Sequence, residues 1–338
     1  YGAVHLVEDP LEIVVDRFDS PEGLLAVLRG DPARSRTVES LRAADPALPE
    51  RREVVEIRID WKQPGPVMVR SGARGLIIDT LPLTTRVDAR HLTLVLPGSS
   101  IKGALRGHAE LIERTARGIG PTVGMLEGKG AARHSAAFRE RLDELPAVRD
   151  LFGAARGDGD DGRRRAGSLR VEECTALPTI PEEFWRSVTG ADSRPDPDDE
   201  ERPRLADSVH DRLEDLGMEQ SDHVALDRWT GGAADGLLFS VLEPYDVEWE
   251  PIRLTVDLTR LREAGDRALA LLLLTLRDLA EGRITLGAAT NRGIGDVGTG
   301  AGDILLSGGP WPEPVTLSRA LTHPRIAQAW TRHLEEAS

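Results

Sequence analysis

Cysteine is nearly absent from this chain of 338 residues, in which Cys174 is the single example. One cysteine excludes a disulfide within the chain and a zinc site made of several thiolates. Long apolar runs are also missing, since the longest, Ala268–Leu276, is far shorter than the roughly 18 residues that a membrane span needs. We therefore expect a cytoplasmic protein with no membrane partner.

Aromatic side chains and catalytic signatures are scarce as well. Aromatic residues make up 4% of the chain, too few for a broad surface on which nucleobases stack. The glycine-rich segment 287–298 has neither the Walker spacing nor the GxGxxG spacing, so it does not indicate a nucleotide cofactor. The sequence has no HxxxH pair and no GxSxG, so neither a zinc hydrolase helix nor a serine-hydrolase turn is indicated.

Basic charge is outweighed by acidic charge, with 43 Lys and Arg against 57 Asp and Glu and a formal net charge of -14. This balance argues against a simple nucleic-acid binder, for which a basic surface is expected. The charges are unevenly distributed, because 194–203 is an acidic block interrupted by prolines and 101–170 is rich in Lys and Arg. The local electrostatic field around each segment therefore indicates its binding partners better than the total charge does.

Periodic apolar residues predict the secondary structure. Alternation predicts half-buried strands at 53–60 and 91–96, and helical spacing follows from Ile101 to Thr115, with Ser99 or Ser100 as the N-cap. The remaining predicted elements are strands at 167–173, 236–242 and 252–258, a buried helix at 266–281, two short strand-like ends of the glycine-rich segment 284–298 and one amphipathic helix from Leu317. This order predicts an α+β fold with a ferredoxin-like βαββαβ core.

Lys102 and Arg106 lie four residues apart at the start of the first predicted helix, so they share its surface. The amino end of a helix has free N–H groups and a partial positive charge, so two further cations are unfavourable there unless an anion binds. The segment is therefore suited to phosphate. The alternative is that both side chains are solvated and that Arg106 pairs with Glu110.

Three further segments hold candidate residues, and each has a plainer explanation. Trp229 beside Arg228 suits stacking on a nucleobase, but it also fits a core tryptophan above a Gly-Gly turn. Asn291 and Arg292 lie among glycines that let backbone amides approach phosphate, a pattern that ordinary turns share. Asp79 suits a divalent metal or proton removal from a ribose hydroxyl, although a lone loop aspartate is usually a turn former.

Four motifs in order resemble those of the RAMP superfamily of CRISPR systems. They are LPGSSIKGALRGHAE at 96–110, LFGAARGDGDDGRRRAGSLRVEECTA at 151–176, HVALDRWTGGAADGLLF at 223–239 and LGAATNRGIGDV at 286–297. Any one of these motifs is weak, but their order over about Glu53–Val297 makes the resemblance specific.

The resemblance implies a ferredoxin-like (RRM-like) core with a large thumb-like insertion. The domains that we predict are an N-terminal extension or linker at 1–50, the core at 51–176 and 237–300, the insertion at 177–236 and a C-terminal helical segment at 301–338.

The resemblance also implies a backbone subunit of a type III effector complex, which stacks with other RAMP subunits along CRISPR RNA (crRNA) in a prokaryotic cytoplasm and engages target RNA. Residues that match the family's guide-contacting segments are Ser99, Ser100, Lys102, Arg106, Asn291, Arg292 and Gly293. Arg163, Arg164, Arg228, Trp229 and Thr230 complete the predicted RNA-binding set.

In the family's target-cleaving members, a loop aspartate ahead of the Pro-Gly turn cuts target RNA with a divalent metal. Asp79 resembles that aspartate, with Asp88 as the second choice, which implies Mg or Mn at Asp79. The loop departs from the family pattern, because Thr84, Thr85 and Arg86 replace part of it. Target cleavage through Asp79 is therefore our first hypothesis.

Three alternatives stay open at this point. The chain is a catalytically inactive scaffold or capping subunit, a crRNA-processing endoribonuclease with His108 or His223 as general acid–base, or an unrelated acidic protein that binds no RNA. His108 lies on the apolar face of its predicted helix, which favours a core histidine.

Overall fold

A computed structural model describes residues 13–15, 20–30, 34–36, 52–72, 75–120, 144–154, 165–190 and 205–336. The chain divides into two compact units, Tyr1–Arg51 and Arg52–Ser338. No helix within the described ranges is long and apolar enough to cross a bilayer.

The first unit pairs strand β1 (Ile13–Val15) antiparallel with strand β2 (Arg34–Arg36), and helix α1 (Pro21–Arg29) lies between them in the sequence. The hydroxyl of Ser20 accepts a hydrogen bond from the Gly23 amide at 3.1 Å and caps the amino end of α1. Gly30 follows the helix with a φ of 69°, the left-handed conformation that commonly ends a helix.

The second unit alternates short strands and helices. Its described strands are β3 (Val54–Ile59), β4 (Thr84–Arg86), β5 (His91–Leu96), β6 (Gly153–Ala154), β7 (Arg165–Ala166), β8 (Leu169–Val171), β9 (Cys174–Thr175), β10 (Ile180–Pro181), β11 (Met218–Leu226), β12 (Ala233–Pro244), β13 (Ile252–Asp257), β14 (Ile304–Gly308) and β15 (Trp311–Thr316). Its described α-helices are α2 (Gly98–Ala116), α3 (Pro146–Phe152), α4 (Glu182–Thr189), α5 (Asp207–Asp215), α6 (Leu258–Leu261), α7 (Gly265–Ala280), α8 (Leu317–Leu321) and α9 (Pro324–Glu335).

The central sheet confirms the predicted α+β, ferredoxin-like core. Its strands have the order β15-β14-β3-β13-β8, and all neighbouring strands are antiparallel. In the sequence, β3 leads through α2 to β8, and β13 leads through α7 to β14, which makes the βαββαβ unit. β15 adds an edge strand that the sequence analysis did not predict.

The main hydrophobic core lies between this sheet and its helices. Val55, Ile57 and Ile59 point into it, while Glu56 and Arg58 on the same strand are exposed. This alternation is the one that the sequence predicted. Helix α7 is buried on most of its surface, packs against α2, α3 and α9, and confirms the predicted buried helix at 266–281.

A second hydrophobic core lies under β5, β10, α4 and α5. Phe184 and Trp185 of α4 pack in it with Leu213 of α5 and Leu242 of β12. Ile78 and Leu81 also belong to this core, so the residues between them are held close to β12. The long antiparallel hairpin β11–β12 leaves this second core and ends at 227–232.

Two predictions about the C-terminal part are wrong. The segment assigned to a helical tail begins with β14 and β15, whose short alternating pattern around Ile304 and Leu306 was overlooked. The single helix predicted from Leu317 is two helices, because Pro324 begins α9 and forces His323 into an extended conformation.

Candidate nucleic-acid interface

Helix α2 begins two or three residues earlier than its sequence suggests. Its first residue is Gly98, Pro97 is the N-cap, and no side chain caps the helix, so the expectation of a serine cap is wrong. A Cβ on Gly98 would collide with the carbonyl oxygen of Val171 and lie 2.9 Å from that of Glu172. Glycine therefore allows the helix to start against the end of β8, and Ser99 and Ser100 fall within its first turn.

The two basic residues of α2 contact the protein itself. The Nζ atom of Lys102 donates a hydrogen bond to the carbonyl oxygen of Leu169 on β8 at 2.6 Å. Burial lowers the pKa of Lys102, and the neighbouring Arg106 lowers it further. Arg106 pairs with Glu110 at 2.9 Å, as the plainer alternative expected. The side chains that we assigned to phosphate are therefore engaged with β8 and with α2.

The glycine-rich loop is joined to residues 66–68 by backbone hydrogen bonds. The amide of Gly295 donates to the carbonyl oxygen of Pro66 at 2.8 Å, and the amide of Ala288 donates to that of Met68 at 2.8 Å. Gly287 has a φ of 92°, and a Cβ there would collide with the backbone of Met68. At least this glycine is required by packing rather than by a ligand.

Asn291, Arg292 and Gly293 lie at the exposed surface of the same loop, where Thr290–Arg292 form one 3-10 turn. Gly293 has a φ of 83° and open space around its Cα, so it is needed for its conformation alone. The turn directs the Arg292 side chain toward β12, where its guanidinium carbon lies 4.8 Å from the ring centroid of Phe239.

A cavity of about 380 Å³ lies between the glycine-rich loop and the hairpin β11–β12. Its lining consists of Met68, Arg70, Thr80, His223, Phe239, Val241, Ala288, Ala289, Asn291, Arg292 and Ile294. The rings of His223 and Phe239 stack across the two strands with centroids 5.5 Å apart, and His223 Nε2 lies 2.8 Å from Glu243 Oε1. Arg292, Phe239 and His223 thus connect the loop with the hairpin.

The tip of the hairpin presents Trp229 to solvent, with 95% of its surface exposed. Asp227 orders this tip, because its carboxylate accepts hydrogen bonds from the Trp229 amide at 2.9 Å and from the Thr230 hydroxyl at 3.0 Å. These bonds lower the pKa of Asp227. Trp229 is therefore not the core tryptophan of the plainer alternative, and Arg228 is exposed beside it.

Asp79 is anchored to the base of the hairpin. Its Oδ2 accepts hydrogen bonds from the Ser240 amide at 2.9 Å and from the Ser240 hydroxyl at 3.3 Å. The Thr80 amide also donates a hydrogen bond to the carbonyl oxygen of Ser240, and the Leu242 amide donates one to the carbonyl oxygen of Thr80. The loop that carries Asp79 is thereby held beside β12.

Asp88 forms a turn between β4 and β5. Its Oδ1 accepts the amides of Arg90 at 2.7 Å and His91 at 2.9 Å, and its Oδ2 lies 2.9 Å from His91 Nδ1. The hydrogen bond from Arg90 lowers the pKa of Asp88 most, followed by that from His91. This is the ordinary structural role of a loop aspartate.

A metal at Asp79 depends on ligands from outside the described residues. Within those residues, no group of three or more histidine, cysteine, aspartate or glutamate side chains is arranged to hold a metal ion. Mg²⁺ is usually bound by one or two carboxylates together with waters and substrate phosphates. A single carboxylate at Asp79 therefore fits an ion that is shared with RNA better than an ion held by the described residues alone.

The fold brings together only part of the predicted RNA-binding residues. Asn291 and Arg292 meet the hairpin, whereas no residue of α2 lines the cavity, and Lys102 lies against β8. Arg163 and Arg164 lie outside the described residues. His108 pairs with Asp278 of α7 at 2.8 Å between the two helices.

Sequence reasoning missed three residues that line the cavity, namely Arg70, Thr80 and Phe239. Arg70 and Thr80 belong to none of the four motifs, and nothing in the sequence distinguishes them from other loop residues. Their position depends on backbone hydrogen bonds of 66–71 and 79–83, which only the folded chain reveals.

Comparisons with known proteins agree with the motifs. The sequence model of the RAMP superfamily matches residues 66–297. A chain in the solved structure of a "Type IV-B CRISPR Complex" is similar over 83% of this chain and 98% of that chain, with 16% identity and a TM-score of 0.45. No curated protein matches the sequence. Since the superfamily's match extends over more than half of its residues, the chain belongs to the RAMP superfamily.

Proposed function

We propose that the chain is a crRNA-binding backbone subunit of a type III-like CRISPR effector complex. The observation that carries this proposal is the meeting of two family motifs, the glycine-rich loop and the hairpin, at one cavity that contains Arg70 and Arg292. Such a complex contains further RAMP subunits, and its substrate is a target RNA paired with the guide. The chain's role is to hold the guide strand.

Recognition of the RNA backbone suits this role, because the sequence of a guide varies from one complex to the next. A few guanidiniums, exposed loop amides and one exposed aromatic ring meet that need. In the structure these are Arg70, Arg292 and the turn at Thr290–Arg292, with Trp229 at the hairpin tip. The acidic remainder of the chain would limit binding to unrelated RNA.

We extend the proposal to cleavage of target RNA through Asp79. Ser240 holds the Asp79 carboxylate in one orientation at the base of the hairpin. This carboxylate would hold a divalent ion, Mg or Mn, which would supply stabilisation of negative charge during displacement at phosphorus. The carboxylate's own contribution is to position that ion and to accept a proton from a ribose hydroxyl.

The test compares two variants that each replace a carboxylate by an amide. Asp79→Asn should lower the rate of target cleavage by at least about a hundredfold, because a general base or metal ligand contributes on that order. Asp88→Asn is the matched control and should cleave normally, since Asp88 bonds to its own turn. The measurement is single-turnover cleavage of a labelled target by the assembled complex, with crRNA content determined in parallel.

A second candidate function is an inactive scaffold subunit. It is favoured by the engagement of Asp79 Oδ2 with Ser240, which gives the carboxylate a structural role of its own. Unchanged cleavage by Asp79→Asn, with normal crRNA content, would establish this second function in place of the first. Absence of any RNA from the purified complex would instead refute RNA binding itself.

A further inference from the structure

Ser240 of β12 and Asp79 form hydrogen bonds with each other in both directions. The Asp79 amide donates a hydrogen bond to the Ser240 hydroxyl oxygen at 3.1 Å, and the Ser240 amide donates one to Asp79 Oδ2 at 2.9 Å. The same hydroxyl donates a second bond to Oδ2 at 3.3 Å. It therefore accepts and donates at once, which an apolar side chain cannot do. Ser240 is 5% exposed, so these bonds are made away from water, where an unmade bond is costly.

The backbone on both sides of Asp79 is fixed by other contacts. Ile78 and Leu81 are buried in the second hydrophobic core. Between them, the Thr80 amide donates a hydrogen bond to the Ser240 carbonyl oxygen at 3.0 Å. The Ser240 hydroxyl is therefore not needed to keep this loop beside β12. Its bonds instead select one orientation of the Asp79 carboxylate, because a fixed backbone leaves several side-chain rotamers open.

A carboxylate that binds a metal ion or accepts a proton must be held close to one geometry. Partners that hydrogen-bond such a ligand typically change metal affinity or activity by about 10–100-fold. We infer that Ser240 is a positioning residue for the proposed cleavage, because its amide and hydroxyl hold the Asp79 carboxylate in the orientation that cleavage requires. The inference rests on the cleavage part of the proposed function. Ser240 follows the third family-like motif, 223–239, and is not part of it.

The first experiment tests the contact without metal or RNA, by residue-resolved amide hydrogen exchange of the RNA-free full chain. Asp79→Ala should speed exchange of the Ser240 amide about tenfold or more, because that amide loses its acceptor. The Leu242 amide is the internal control, since it donates to the Thr80 carbonyl oxygen at 3.0 Å and should stay protected. Unchanged exchange at Ser240 would overturn the inference. Loss of protection at both amides would also overturn it, because the contact would then hold the loop rather than orient the carboxylate.

The second experiment measures single-turnover cleavage of a labelled target by the assembled complex. Ser240→Ala should lower the rate about tenfold or more and raise the Mg²⁺ concentration that gives half the maximal rate. Its affinity for the target should stay that of the wild type, because Ser240 does not line the cavity. Ser221→Ala is the matched control and should cleave normally, since the Ser221 hydroxyl of the same hairpin bonds to the Glu243 carboxylate at 3.1 Å. Ser240→Thr keeps the hydroxyl and should cleave faster than Ser240→Ala.

Asp79→Asn separates this inference from the proposed function. In that background Ser240→Ala should slow the residual cleavage no further, because the carboxylate that Ser240 positions is gone. An equal loss in both backgrounds would overturn the inference. A wild-type rate and Mg²⁺ dependence for Ser240→Ala, with Asp79→Asn about a hundredfold slower, would also overturn it and leave cleavage through Asp79 intact. A wild-type rate for Asp79→Asn would refute the proposed cleavage itself, whatever the exchange experiment shows.

Discussion

At the scale of single residues, two glycines of the family-like motifs, Gly98 and Gly287, are required by packing. Gly98 lets α2 start against the carbonyl oxygens of Val171 and Glu172, and Gly287 lets the glycine-rich loop press on Met68. In both places a side chain would have to occupy space that backbone already fills. The exposed Gly293 lacks such a neighbour, as do Gly103, Gly107 and Gly231.

Substitution of two glycines in α2 tests this role. Gly98→Ala should destabilise the chain by about 1–3 kcal/mol, since the helix or β8 must move to make room. Gly103→Ala should stabilise it by about 0.5–1 kcal/mol, because Gly103 lies in the same helix with open space around its Cα. Urea unfolding measures the free energy of unfolding of both variants. Equal changes of the same sign would contradict the packing role of Gly98.

At the scale of elements, the hairpin β11–β12 is a rigid arm with an ordered tip. Cross-strand pairing extends from Met218 opposite Pro244 to Leu226 opposite Ala233. Asp227 then closes the turn and holds Trp229 outward. An aromatic ring that is presented this way buries little surface within the chain, so it suits the RNA contact proposed above.

Trp229→Ala should weaken binding of single-stranded RNA by about 1–3 kcal/mol, the range measured for loss of one stacked aromatic ring. The melting temperature should stay unchanged, because Trp229 is 95% exposed. Leu226→Ala, which removes another exposed apolar side chain of the hairpin, is the control for loss of apolar surface. Equal losses of affinity in the two variants would argue against stacking.

Helix α2 also depends on a buried carboxylate. Glu113 is fully buried and accepts hydrogen bonds from the amides of Ala147 and Val148 at the start of α3, and it lies 2.8 Å from His333 of α9. One side chain therefore joins three helices, caps one of them and neutralises part of its dipole.

Glu113→Ala should lower the free energy of unfolding by about 3–5 kcal/mol, as expected when one partner of a buried pair is removed. Glu110→Ala in the same helix should cost no more than about 1 kcal/mol, because its pair with Arg106 is partly exposed to solvent. Chemical denaturation measures both. A loss below about 1 kcal/mol for Glu113→Ala would mean that the three helices pack without this link.

At the scale of the whole molecule, binding of a polyanion by an acidic chain requires that few phosphates be contacted. The cavity offers two guanidiniums, Arg70 and Arg292, and the tip offers Arg228. If the chain binds RNA as proposed, the net charge of -14 should disfavour RNA on the rest of the surface. The affinity should therefore depend on salt far less than that of a basic RNA-binding protein.

The salt dependence gives a direct count of phosphate contacts. Each contact with a single strand contributes about -0.7 to the slope of log K against log salt concentration, so two or three contacts predict a slope of about -1.4 to -2.1. Arg292→Gln should make this slope shallower by about 0.7. Affinities at four or five salt concentrations suffice, and a slope steeper than about -4 would mean that a basic surface outside the described residues dominates.

Local sequence patterns were enough for the buried faces of the ferredoxin-like core, but they did not locate its last strand, β14. The alternation at Val55, Ile57 and Ile59 and the apolar surface of α7 predict which faces are buried, because strand and helix periods act over a few residues. The motifs likewise pointed to the superfamily. The same local reasoning missed β14 and β15, whose pairing partners are distant in the sequence.

The chain's pattern of apolar and polar residues by itself determined the core, since burial of apolar surface follows from local periodicity, and its four motifs determined the family. Only the tertiary structure decided that Lys102 turns to β8 while Arg70, Phe239 and Arg292 share one cavity. The physical reason is that backbone hydrogen bonds join 66–71 to the glycine-rich loop and 79–83 to the hairpin across the folded chain. No spacing in the sequence encodes those contacts, because each joins segments that are more than 150 residues apart in the chain.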